Sequence, residues 1–221
     1  MEDGDKKEKK TLSFTELVTR ASTADSSQKF PISANYYFII LSRHYDTLAK
    51  NKSQFEEIIK KFIFSTILLP SSALKERMLG YAIQNDNLNI FKYKTLLEKM
   101  LNYQLVYIDD IKAIMPNCPE SHQQFDYAKC VFEHDVIALS KVFDNLRFDS
   151  AEKFLKMKIE DILNYTFKMS AEKKINATID EKRKFIFFEK EAENMLGFDK
   201  QIQTFCLKAK MLSEYIKATT S

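Results

Sequence analysis

The chain has 221 residues, of which 45% are hydrophobic and 29% are charged, and its net charge is +3. This balance is typical of an ordinary globular protein, and the charge is too small to indicate a polyanionic partner. No stretch approaches the roughly 18 apolar residues that a membrane-spanning helix needs, so we expect no membrane partner. Only three glycines are present, and because phosphate-binding loops need clustered glycines, a P-loop or dinucleotide fold is excluded.

Residues 1–34 are predicted to be a disordered or short helical N-terminal segment. The run from Met1 to Lys10 is almost entirely charged or polar and has nothing to bury, so we expect it to be disordered. Leu12 to Ala21 can form a short helix, and the Ser/Thr-rich stretch from Ser22 to Ser27 is predicted to be a linker.

Residues 35–121 are predicted to be a helical-repeat part. Between Ser53 and Leu69, apolar residues recur at three- and four-residue steps and form one stripe of an amphipathic helix. The residues of this stripe are Phe55, Ile58, Ile59, Phe62 and Ile63. Pro70 ends this helix, and the following Ser71-Ser72 offers an N-cap for the next one. Helices of this length joined by short connections favour a helical-hairpin solenoid, although no repeat of fixed period supports it.

Residues 122–190 are predicted to be the winged-helix part. A helix from about Gln123 to Asn145 is followed by a short strand, Leu146 to Phe148, and by a small helix capped by Asp149 or Ser150 that ends near Leu155. A second helix runs from Ile159 to Ala171, with Ile159, Ile162, Leu163 and Phe167 on one face.

Two strands complete this part. Ile175, Ala177 and Ile179 alternate with polar residues, the polar run from Asp180 to Lys184 forms a turn, and the second strand runs from Phe185 to Glu189. The order helix, strand, helix, helix, hairpin is that of a winged helix. The sequence therefore predicts a mainly α fold in which a solenoid precedes a winged-helix subdomain.

The last segment, residues 197–221, is predicted to be a long C-terminal helix from about Phe198 to Lys217. Its apolar residues are spaced 4-3-4-3-4, which is a narrow heptad seam. The seam residues are Phe198, Ile202, Phe205, Ala209, Leu212 and Ile216. Such a seam favours a bundle with helices of partner proteins, and the alternative is that it packs back on its own domain.

Chemistry-bearing motifs are sparse. The three histidines, His44, His122 and His134, show no HxH or HExxH spacing, and no G-x-S-x-G nucleophile turn occurs. Glu133 and His134 are adjacent on a predicted helix and so point about 100° apart, which favours a structural role for His134. We therefore expect no enzyme, no catalytic residue, no bound metal and no cofactor.

A winged helix can also bind nucleic acid, and the residues of its second helix indicate whether it does. Reading a major groove requires basic or amide side chains on the exposed face of this helix. Here the helix begins with Glu160-Asp161, whose carboxylates would face phosphate, and the basic run Lys182-Arg183-Lys184 is equally expected at a solvated hairpin tip. A nucleic-acid partner is therefore not favoured.

Several strings resemble the PCI domain family, whose members have a helical array, a winged helix and a terminal helix. They are Ser65-Thr-Ile-Leu68, Arg77-Met-Leu79, Leu97-Glu-Lys-Met100, Val131-Phe-Glu-His-Asp135, Leu139-Ser-Lys-Val-Phe-Asp-Asn145, Ile179-Asp180 and Phe198-Asp-Lys-Gln-Ile-Gln-Thr-Phe-Cys206. Within the family, the sequence is most similar to the scaffold subunits of the COP9 signalosome, and proteasome-lid scaffolds are the alternative. The chain departs from the family in having Phe198 where tryptophan is usual, and no glycine in the wing turn.

The resemblance implies a non-catalytic scaffold of a complex that removes the modifier Nedd8 from cullins, located in cytoplasm and nucleus. The implied partners are other PCI subunits, the metalloprotease subunits of the same complex and, indirectly, neddylated cullin–RING ligases. Contacts are expected at the edge of the winged-helix sheet and along the heptad seam. The expected edge residues are Ile175, Ala177, Ile179, Phe185 and Phe187.

Overall fold

A computed structural model describes residues 12–189, which form a mainly helical structure with one small sheet. No helix within these residues is both long and apolar enough to span a bilayer. The helices are α1 (Phe14–Ser26), α2 (Phe30–Arg43), α3 (Tyr45–Ala49), α4 (Lys52–Ile67), α5 (Ala73–Gln84), α6 (Phe91–Leu101), α7 (Ile108–Ile114), α8 (Tyr127–Val142), α9 (Phe148–Leu155) and α10 (Ile159–Ala171). The strands are β1 (Asn145–Arg147), β2 (Ala177–Asp180) and β3 (Phe185–Phe188).

The chain divides into two compact units, Met1–Ala138 and Leu139–Ser221. The division lies within α8, later in the chain than the predicted boundary between the helical-repeat and winged-helix parts at residues 121 and 122. The predicted C-terminal helix lies outside the described residues.

The first unit is built from amphipathic helices that bury their apolar stripes against one another. In α4, four residues of the predicted stripe, Ile58, Ile59, Phe62 and Ile63, are buried, and the fifth, Phe55, is partly buried. Each such side chain contributes about 1.5–3 kcal/mol through removal of apolar surface from water. Helix α2 packs against both α1 and α4. The succession of packed helices agrees with the mainly α class, and the solenoid arrangement stays a prediction.

Helix α1 continues through the stretch that was predicted to be a linker, so that prediction is wrong. Ala21 and Ala24 are buried in this helix. The Thr23 and Ser26 hydroxyls donate to carbonyls four residues back, at 2.9 and 3.0 Å, so the helix satisfies the polar groups that favour loops. From Phe14 onward, the N-terminal segment therefore belongs to the folded first unit.

Helix capping follows the sequence signals in one place and departs from them in another. The Ser72 side chain accepts a hydrogen bond from the Lys75 N–H at 3.3 Å, which confirms the predicted N-cap of α5. Neither Asp149 nor Ser150 caps α9, because this helix begins directly after β1 with Arg147 at the N-cap position and without a side-chain cap.

Between Asn145 and Phe188, the second unit has the element order β1, α9, α10, β2, β3, and the three strands of this stretch are antiparallel in the order β1-β3-β2. Helix α10 has the predicted bounds, and each strand lies within one or two residues of its predicted position. The predicted apolar face of α10 is wrong at Phe167. Ile162 is fully buried, whereas Phe167 is 68% exposed.

The turn between β2 and β3 is stabilised by side-chain chemistry and adopts one unfavourable backbone conformation. The Asp180 carboxylate accepts from the N–H groups of Lys182 and Arg183 at 3.1 and 3.0 Å, which holds the turn together. Lys184 then has φ of 63°, in the left-handed region where a side chain is disfavoured and glycine is not. This is the turn in which the sequence lacks the glycine usual in the PCI family.

Replacing Lys184 with glycine should stabilise the second unit. Relief of the left-handed conformation is worth about 1 kcal/mol. We expect a higher urea midpoint for the amide signals of β2 and β3 in the full chain, measured by NMR. The control is Lys182→Gly, because Lys182 does not have a positive φ. Glycine there raises the entropy of the unfolded chain, so the stability should stay unchanged or fall slightly. A gain of equal size in both variants would contradict the strain at Lys184.

Candidate protein-interaction surface

The three-stranded sheet has one fully paired strand and two edges. β3 is central, whereas β1 and β2 each have a neighbour on one side within the described residues. Glu189 N–H donates to the Asn176 carbonyl at 2.9 Å, so these two residues form a hydrogen-bonded pair at the end of the β2–β3 ladder. Since bonded and non-bonded pairs alternate in an antiparallel ladder, the backbone groups of Ala177 and Ile179 point away from β3.

Of the five residues predicted at the sheet edge, two lie on the edge strand β2. These are Ala177 and Ile179. Ile175 precedes the strand and lies outside the ladder. The edge position of Phe185 and Phe187 is wrong, because both lie on β3, whose backbone is paired on its two sides. A role of these residues in contacting a partner stays a prediction.

The register places Phe185 and Phe187 on the opposite face of the sheet from the buried Ile186 and Phe188. Their rings are stacked, with centroids 5.9 Å apart, and both are only half-buried. Their predicted assignment to a strand is confirmed, but a run of four apolar residues does not show which face of the strand is buried.

A groove lies between α10 and the open edge of β2. Leu163, Phe167 and Ala171 line it from the helix, and Ala177 to Lys182 line it from the strand and turn. One outward group of β2 is already used, since the Ser170 hydroxyl donates to the Ala177 carbonyl at 3.1 Å. The groove thus offers the outward N–H and carbonyl of Ile179 beside an exposed aromatic ring. The exposure of Phe167 could not be predicted from the sequence, because its spacing matches that of the buried face.

The predicted interface residues of the terminal helix cannot be placed in the same way. Phe198, Ile202, Phe205, Ala209, Leu212 and Ile216 all lie outside the described residues.

The first unit contains a buried polar cluster that the sequence did not indicate. Asp25 Oδ1 lies 3.0 Å from His122 Nε2, and Ser65 Oγ lies 3.2 and 3.1 Å from the same two atoms. Ser121 Oγ lies 3.0 Å from His122 Nδ1. The cluster connects α1, α4 and the turn Glu120–His122, which are far apart in sequence.

These residue types are those of a serine hydrolase, but their arrangement favours a structural role. The imidazole of His122 is 0% exposed, and the rings of Phe30, Phe64 and Phe125 surround it at centroid distances of 5.8, 6.5 and 6.0 Å. A general base must pass its proton to a leaving group, and this ring cannot reach one. The cluster therefore holds the Glu120–His122 turn against α1 and α4.

His134 has the structural role expected from the sequence. Its Nε2 lies 2.9 Å from the Gln104 carbonyl oxygen, and its ring stacks on Tyr103 with centroids 6.0 Å apart. Among residues 12–189, His, Cys, Asp and Glu side chains do not gather in any group of three that could hold a metal ion.

Comparison with known proteins finds distant relatives of this chain. No protein-family model matches the chain. The chain is similar to COP9 signalosome complex subunit 4 of Drosophila melanogaster, with 23% identity over 193 residues that cover 81% of this chain and 46% of the relative. The same subunit of Dictyostelium discoideum is 23% identical over 161 residues, covering 70% of this chain and 41% of the relative.

The subunit of Arabidopsis thaliana is 22% identical over 206 residues, covering 88% of this chain and 51% of the relative. The chain thus spans about half the length of the curated relatives it matches. Subunit 4 is also the protein that the sequence strings resemble most within the COP9 signalosome. Each similarity is weak, but the agreement across three species supports a relationship to the subunit 4 family.

Proposed function

We propose that this protein is a non-catalytic scaffold subunit of a COP9 signalosome, a complex that removes Nedd8 from cullins. The observation that carries the proposal is the similarity to subunit 4 in an insect, an amoeba and a plant over most of this chain. Its partners are other PCI subunits and the metalloprotease subunits of the complex and, indirectly, neddylated cullin–RING ligases. Cytoplasm and nucleus are the proposed locations.

Two features of the described fold support a PCI domain. The second unit contains a strand, two helices and a hairpin, and its sheet has the order β1-β3-β2. These are the parts of a winged helix, and we propose that fold for the second unit. The helices from α2 to α7 that precede it supply the candidate solenoid.

The open edge of β2 is the proposed contact with a neighbouring subunit. An edge strand presents unpaired backbone groups that can bind an extended segment of another protein, and side chains beside the edge then set the specificity. Ile179 has an outward N–H and carbonyl that can pair with such a segment. Phe167, across the groove, is a side chain that can set the specificity.

The terminal helix is the second proposed contact. Its 4-3 spacing of apolar residues suits a bundle of several helices, in which each helix contributes a narrow seam.

A nucleic-acid-binding role receives no support from α10. Glu160 and Asp161, which begin this helix, are both exposed, so their negative charges would face a phosphate backbone.

The proposal as a whole is tested by affinity purification of the native protein with mass spectrometry of its partners. COP9 signalosome subunits are the expected result. Recovery of proteasome ATPases in their place would identify the protein as a scaffold of the proteasome lid. Recovery of neither assembly would overturn the scaffold role.

Replacing Ile179 with proline should break the proposed edge contact. The substitution removes an outward N–H and leaves the ladder bonds of Thr178 and Asp180 in place. We expect the sheet to remain folded and partner binding to weaken roughly tenfold or more, as loss of one buried backbone hydrogen bond implies. The measurement is the amount of partner subunits that co-purify, with the fold checked by NMR.

Ile179→Ala is the matched control, since it shortens the same side chain and keeps the N–H. The alanine variant should retain most of its partners. Equal losses in the two variants would assign the effect to the side chain and contradict strand pairing at this edge.

Replacing Ile202, Phe205 and Leu212 together with aspartate tests the terminal helix. Three charges on one seam cannot be buried in a helix bundle, so we expect co-purification of partner subunits to be abolished. Circular dichroism should show that the remainder of the chain stays folded. If the triple variant unfolds the domain, the seam belongs to the protein's own core and the bundle is disproved.

A further inference from the structure

The connector between α6 and α7, residues 102–107, is fastened to α8 by two consecutive side chains. The His134 ring nitrogen lies 2.9 Å from the carbonyl oxygen of Gln104. The Asp135 carboxylate accepts from the Val106 N–H at 2.7 Å. Both side chains are buried, as is Val106 itself. All these residues lie within the first unit.

Tyr103 and Tyr107, one near each end of the connector, contact α5 and α7, and the Tyr103 ring also stacks on His134 of α8. Tyr103 donates through its hydroxyl to Glu76 of α5 at 2.5 Å. Asp110 of α7 accepts from the Tyr107 N–H at 2.9 Å and pairs with both of its oxygens to Lys99 of α6. Among the described residues, the charged groups that act on Asp135 from other elements are Asp110 and Lys99. Glu133 and His134 lie on its own helix, Tyr103 lies on the connector and Glu76 lies on α5.

The hydrogen bond from the Val106 N–H is the main interaction that favours the charged form of Asp135. Desolvation by burial raises the pKa of Asp135 to about 7, the Val106 N–H opposes this rise, and the negative charge of Asp110 adds to it. Lys99, which pairs with Asp110, lowers the pKa of Asp135 and has the smallest of these effects. A buried carboxyl of this kind is neutral in mildly acidic solution and charged in mildly basic solution.

We propose that Asp135 and His134 form a proton-linked clasp, in which Asp135 holds the α6–α7 connector closed when protonated and loosens it when ionised. The sign follows from linkage. The folded-state pKa is above the ordinary value for aspartate, so the closed state binds a proton that the open state releases. The stability of the closed connector therefore falls as pH rises from about 4 through 7, and it is constant above that range.

Hydrogen exchange of the Val106 amide in the full chain tests the clasp. After correction for the intrinsic rate, protection should fall about tenfold between pH 6 and pH 8, because opening restores Asp135 to its ordinary pKa. In Asp135→Asn, the amide oxygen still accepts from Val106 but cannot titrate, so the protection should not change with pH. Asp109→Asn is the matched control, since Asp109 is exposed on the adjoining turn of α7 and this variant should keep the tenfold fall.

Two results would overturn the clasp. One is wild-type protection that is the same at pH 6 and pH 8. The other is a fall that persists in Asp135→Asn, which would assign it to His134 or another group. If Asp135→Asn does not fold, the titration of the Asp135 carboxyl carbon in the wild-type chain decides. A midpoint near 7 supports the clasp, and a midpoint below 5 disproves it.

Discussion

The pairing of β3 on both of its sides is the constraint on which the second unit depends. A three-stranded antiparallel sheet has one strand whose backbone groups are all used and two strands that each keep one open row. Because the order is β1-β3-β2, the hairpin of β2 and β3 provides both the central strand and an edge. The ladder register then decides which residues of β2 can bind another strand, and it selects Ala177 and Ile179. The Ser170 hydroxyl occupies the Ala177 carbonyl, so Ile179 is the main open position.

In the first unit, connections between helices are held by buried polar side chains as well as by apolar packing. His122 binds the turn before α8 to Asp25 and Ser65, and Asp135 binds the connector before α7 to α8. Each of these contacts satisfies polar groups that would otherwise be unpaired away from water. The Asp25, His122 and Asp135 side chains thus stabilise the positions of these connections in the fold.

The similarity to COP9 signalosome subunit 4 and the open sheet edge are independent observations that favour the same role. The first comes from residues spread over most of the chain, and the second comes from the backbone of four residues in β2. Since the chain matches about half of each relative, the similarity supports no proposal about contacts that the other half of those relatives makes. The contacts proposed for this chain are those through the edge of β2 and along the heptad seam.

By itself, the sequence determined the mainly helical class, the bounds of α10, the stripe of α4, the Ser72 cap and the order of elements in the second unit. These features follow from local periodicity and turn chemistry, which act within a few residues. Only the tertiary structure decided that Ser22 to Ser26 are helical, because burial of Ala21 and Ala24 against neighbouring helices outweighs the loop preference of serine and threonine. It also decided that β3 is central and that Phe167 is exposed, since strand order and the buried face depend on partners distant in sequence. The Asp25–His122 contact joins residues almost a hundred positions apart, and no local pattern could have brought them together.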